Sequence, residues 1–186
     1  MDFYLIKLFL PNLSNVFVIW GQNEFSDSFL IDKENRILSF LSLESVKDFI
    51  EEGEEAYSFD QEEFDNYTKL FSNDITFYSI KEVYELLSKN QNMHEFSRDH
   101  HTLLTNVYNL ISDYFFQIKS EKHLLLRENV HIKMFFDHYY YKYFWKAGNE
   151  LIETEKKLKD FNYTEFATIF KILLNTFVES IRIVSK

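Results

Sequence analysis

Six histidines, His94, His100, His101, His123, His131 and His138, are the side chains of this 186-residue chain best suited to acid–base work or metal binding near neutral pH. No cysteine is present, which removes thiolate nucleophiles, disulfides and cysteine-type zinc sites. A metal pair on one helix normally uses the i, i+4 spacing of H-E-x-x-H, and that motif is absent. His131 and His138 stand seven apart, on one helical face with Asp137 beside the second, and together with His101 they would make a tertiary site. His100 and His101 point to different faces. "RDHH" at 98–101 and "RENVH" at 127–131 invite comparison with helical ribonucleases that pair an Arg with a His, but too few residues intervene for that motif. Half-buried, hydrogen-bonded histidines are the simpler account. With three glycines in the chain, a phosphate or dinucleotide loop is close to excluded, and no nucleophile elbow occurs. The chain therefore reads as a binding protein rather than an enzyme, with no cofactor, catalytic residue or metal ligand assigned.

Charge is the stronger signal. From Glu44 to Asp65 there are ten acids and one base, Lys47, a net of −9 within a chain of net −10, so the excess is local. Such a segment repels nucleic acid and anionic membrane and attracts basic proteins, speeding their association toward ~10⁸ M⁻¹s⁻¹ at low salt. Phe49, Tyr57, Phe59, Phe64 and Tyr67 are interleaved with the acids. They suit two readings: anchors beside the charges in an interface, or inward-pointing residues under a solvated face. "DQEEFDNYTKLF" lacks the alternating acids and central Gly of an EF-hand calcium loop.

"MFFDHYYYKYFWK" at 134–146 places eight aromatics between Phe135 and Trp145. As a helix it presents aromatics on every face, which fits a central bundle helix before it fits a protein-binding patch. Few bases surround it, so it makes a poor nucleic-acid platform.

The elements that hold these residues divide along the chain. "FYLIKLFL" (3–10) and "VFVIW" (16–20) read as strands, and Phe29–Ile31 and Ile37–Phe40 as a hairpin around Asp32-Lys33-Glu34-Asn35. Ser42 caps a helix with Leu43, Val46, Phe49 and Ile50 on one face, ending near Gly53. Ser79 caps a second helix, with Glu82 at capping-box spacing. Helical stripes follow over about 95–118 and 129–147. A last one runs from Tyr163 through Val184, with Arg182 suiting its C-terminal end. The expected fold is α+β: a small N-terminal antiparallel sheet with one helix, then a mainly helical bundle. It forms one domain with a β-rich lobe over 1–60 and a helical lobe over 61–186. The apolar N-terminus is broken by Lys7 and Pro11, lacks a small-residue cleavage pattern, and no run reaches the ~18 residues of a membrane span, which predicts a cytoplasmic protein.

Phe29–Gly53, "FLIDKENRILSFLSLESVKDFIEEG", resembles a phrase common among small bacterial immunity proteins: a strand ending in Asp, a polar turn, a strand ending in an aromatic, and a Ser-led helix. It is similar in particular to immunity proteins of contact-dependent growth inhibition and related polymorphic toxin systems. The resemblance implies a cytoplasmic, cysteine-poor, often acidic protein that binds a usually basic toxin domain, frequently a nuclease. Those proteins share no binding residues, so the binding surface is assigned from charge: Asp48, Glu51, Glu52, Glu54, Glu55, Tyr57, Asp60, Glu62, Glu63 and Asp65. The expected partner is a toxin domain, not nucleic acid or membrane, and a monomer is favoured. A helical metal-dependent enzyme or RNase using the His and Arg groups, and a helical regulatory adaptor, are the alternative readings.

Overall fold

The computed structural model describes residues 2–11, 14–22, 24, 27–52, 58–59, 62, 64, 75–89, 95–145 and 148–184. Among the described residues six strands, β1 (Asp2–Phe9), β2 (Val16–Gln22), β3 (Asp27–Phe29), β4 (Ile37–Phe40), β5 (Ile75–Ser79) and β6 (Ile181–Ile183), form one sheet. Its order is β5-β1-β2-β4-β6, with β3 also on β2. Seven α-helices are described: α1 (Leu43–Glu51), α2 (Ile80–Ser88), α3 (Arg98–Gln117), α4 (Glu121–Arg127), α5 (Val130–Tyr139), α6 (Gly148–Lys157) and α7 (Tyr163–Glu179).

The fold class is α+β, as the sequence predicts, but the sheet is mixed. β1, β2 and β4 pair antiparallel, while β5 joins β1 and β6 joins β4 in parallel. Two of the six strands thus come from beyond residue 60. The periodic stripe to Val184 does not stay helical. α7 stops at Glu179, where the Ser180 hydroxyl donates to the Phe177 carbonyl at 2.6 Å, and Ile181–Ile183 switches to the β4 edge. Ile37 N–H donates to the Ser180 carbonyl, and Ser39 donates to the Arg182 carbonyl at 3.0 Å. Two β-branched residues flanking one polar residue suit a strand better than a helix end, and a partner strand supplies their ladder.

Alternation sorts the strands into two cores. Ile6 and Leu8 of β1 and Val16 and Val18 of β2 face the helices, where Phe115, Phe135, Phe166, Phe170 and Phe177 fill the interior. Phe3, Leu5, Phe17, Ile19, Leu38 and Phe40 face the other way and are covered by Val46 and Phe49 of α1 together with Phe59 and Phe64. The molecule is layered: bundle, sheet, acidic helix. Helix starts carry the expected caps, with Ser42 accepting from Ser45 N–H at 3.0 Å and Ser79 from Glu82 N–H at 3.2 Å. After α5 the chain continues as a π-helical stretch over Tyr140–Trp145, and Gly148 opens α6 rather than ending the preceding helix.

Candidate functional site

α1 carries the described part of the acidic segment. Its apolar face, Val46 and Phe49 with Leu43 and Ile50 beside them, packs on the outer sheet face. That leaves Lys47, Glu51 and Glu52 exposed and Asp48 half-buried. Glu62, farther along, is also exposed. Glu51 and Glu62 pair with no base among the described residues. Glu54, Glu55, Tyr57, Asp60, Glu63 and Asp65 lie outside the described residues.

The aromatic half of the segment turns inward. Phe49, Phe59 and Phe64 are 3%, 8% and 2% exposed. Phe3 meets Phe59 edge-on at 4.9 Å and Phe64 at 5.7 Å, and those two rings stack on each other. They form core, which matches the inward-pointing reading at these three positions. The reason is the sheet's second face, whose apolar residues need a cover that one short helix cannot supply.

The helix ends badly for its own electrostatics. Asp48 and Glu51 stand in the last turn, Glu52 is the C-cap, and no base occurs there. Backbone carbonyls already give that end partial negative charge, so carboxylates there are unfavourable and a cation is welcome. Glu44, in the first turn, is the one acid of α1 placed where the dipole favours it.

Two of the three candidate histidines meet and the third does not. His101 is fully buried, with its Nδ1–H donating to the Ser97 carbonyl at 3.0 Å and its ring stacked on Phe135 at 5.3 Å. Burial lowers its pKa against the opposing hydrogen bond, so it sits neutral inside the bundle. His138 lies 5.6 Å from it, ring to ring. His131 turns elsewhere: its Nδ1 accepts from Asn162 N–H at 3.2 Å and its Nε2 faces Glu165 at 3.3 Å, tying the starts of α5 and α7 together. Among the described residues no group of three or more His, Asp or Glu side chains is arranged to hold a metal. His94 lies outside the described residues.

One pairing escaped the sequence. Ser120 Oγ and His123 Nδ1 are 2.6 Å apart at the start of α4. A serine nucleophile needs its base oriented by a third group. His123 has its ring flat on Phe115 at 4.2 Å, and its pKa is lowered by burial and then by Lys122, with no carboxylate among the described residues acting on it. The contact is a local one at a helix start. The i, i+3 spacing of Ser and His was its only trace in the sequence.

No described helix is long and apolar enough to cross a membrane. No family model and no curated protein matches the chain. Among solved structures, the fold is similar to that of the SatS C-terminal domain, solved in complex with bromine, with a TM-score of 0.56 over 98% of this chain and 94% of that one. At 10% identity the likeness is one of fold alone.

Proposed function

We propose that this chain is a bacterial immunity protein whose acidic α1 surface docks a basic, nuclease-type toxin domain. The observation that carries the reading is the exposed Glu51, which pairs with no base among the described residues and stands in a last turn of α1 that holds acids and no base. A chain that keeps acids where its own backbone disfavours them gains when a cation covers them. The layering supports the same reading, because α1 lies on the sheet face away from the bundle and its charged side is turned outward.

With Phe49, Phe59 and Phe64 committed to the core, docking rests on charge rather than on aromatic anchors. Carboxylates stand in for phosphates and accept bidentate pairs from arginine, so they would block a nuclease's active-site cleft or the nucleic-acid path beside it. Such an interface associates fast and is salt-sensitive.

The test follows from gene order, since an immunity gene is expected directly downstream of its toxin. Co-expression with the toxic C-terminal domain encoded immediately upstream should restore growth. Failure of the wild-type chain to rescue would remove the reading.

A helical adaptor is the second reading, favoured by Phe144 and Trp145, which are 60% and 62% exposed on the π-helical stretch. Light scattering on the wild type and a Phe144→Ser/Trp145→Ser variant decides it: a monomer in both leaves that reading without support.

A further inference from the structure

A pocket of about 260 Å³ opens between α3, α4 and α5, on the bundle side of the molecule. Its floor is apolar: Ile132 and Phe136 are buried, and the Phe136 ring packs on Tyr108 at 4.1 Å. The volume is below the range typical of drug-sized ligands and suits a compact one.

Four charged side chains line the pocket and sum to zero in a chain of net −10. Lys133 and Glu128 pair with each other. Arg127 and Asp137 form no ion pair within 4 Å among the described residues, and the Arg127 charge also acts on Glu128 and on the buried Asp113. Arg127 is fixed in place all the same. Its guanidinium lies over Phe116 at 4.5 Å and over Tyr108 at 5.6 Å, and its Nε donates to the Tyr108 hydroxyl at 3.3 Å. The stacking and the Nε bond orient the plane, and the terminal nitrogens make no hydrogen bond among the described residues, the arrangement that bidentate carboxylate recognition needs.

A plain organic anion would satisfy Arg127 but meet Asp137, and a plain cation would do the reverse. A zwitterion satisfies both. We propose that this pocket binds a free α-amino acid with an apolar side chain, its carboxylate on Arg127, its ammonium on Asp137 and its side chain against Phe136 and Tyr108. A peptide C-terminus would supply the carboxylate without the ammonium, and Asp137 would then face a neutral amide.

The test uses the full chain and three probes: L-leucine, N-acetyl-L-leucine and L-leucinamide. Proton–nitrogen NMR titration at millimolar concentration should show saturable shifts around Tyr108, Phe136 and Tyr140 with L-leucine, and at least ~10-fold weaker binding of either blocked form. Arg127→Gln and Asp137→Asn should each weaken L-leucine binding at least ~10-fold. Asp137 is exposed, so its variant keeps the question answerable if the Arg127 variant fails to fold. Absence of saturable shifts with L-leucine, equal binding of the N-acetyl form, or unchanged affinity in Asp137→Asn would each overturn the assignment.

Discussion

Arg182 Nη1 donates to the Asp32 carboxylate at 2.9 Å, joining residues 150 positions apart. Asp32 also accepts Arg36 Nε at 2.9 Å and the backbone N–H groups of Glu34 and Arg36, each at 2.9 Å. The turn that begins the hairpin is thus the fastening point of the last strand. Arg182, which the sequence suggests as a helix-end cation, serves a strand instead.

Asp32→Asn should destabilise the chain by about 2 kcal/mol in denaturant unfolding, because it removes the negative charge and replaces one of the two accepting oxygens with an NH2 donor at a nearly buried site. Burial alone would raise the Asp32 pKa; the Arg36 N–H, the Arg182 guanidinium, the Glu34 N–H and the Arg36 side chain outweigh it and hold the value at about 2. A carboxyl lowered on folding contributes stability that is present above about pH 4 and lost as pH falls through about 2. The variant should lack that acid limb.

Asp113 behaves in the opposite sense. Burial, then the Asp27 charge, pushes its pKa up to about 7 against the opposing charge of Arg127. The folded state holds this proton longer than the unfolded chain does, so stability should fall as pH rises from about 4 to 7 and then level off. Asp113→Asn should flatten that slope and be the more stable protein at pH 8. Thermal melts across pH check both limbs, and an unchanged slope would contradict the account.

Gln117 supplies the other long-range tie. Its amide accepts from Phe29 N–H and donates to the Phe29 carbonyl, both at 2.8 Å, so one side chain acts as a neighbouring strand for β3. Gln117→Leu leaves both backbone groups unpaired beside the core. The expected loss is about 1–3 kcal/mol, read as a shift of the urea midpoint at constant slope.

Much of this fold was legible, and the misses share a cause. β1, β2, the hairpin, α1 and α3 announce themselves through alternation, helical spacing and serine caps, which are local properties. β6 does not, because Ile181 falls four residues after Phe177 and continues the helical phase; only β4, far away in sequence, makes it a strand. β5 is an edge strand with two exposed residues, so it lacks clean alternation. Both parallel pairings are tertiary events without a local signature. In the acidic segment, composition located the charge, while the inward turn of Phe59 and Phe64 depends on Phe3, more than fifty residues upstream. The pocket that Arg127 and Asp137 both line was equally hidden, since residues from three helices build it.

Charge on α1 should trade stability against function. Glu51→Lys places a cation where the helix dipole favours one, and should raise the melting temperature of the free chain by about 1–2 °C. The same change should impair growth rescue. A variant that is both more stable and fully protective would separate the charge from the function.

The most direct measurement is the association rate of the purified chain with the upstream-encoded toxin domain, taken by stopped flow from low to physiological salt. For the wild type we expect a fast rate that falls steeply as salt is added. Lysine at Glu51, Glu52, Glu54 and Glu55 together should give a slow rate with little salt dependence. Identical rates and identical salt slopes for the two proteins would contradict the claim that this acidic surface recognises the partner.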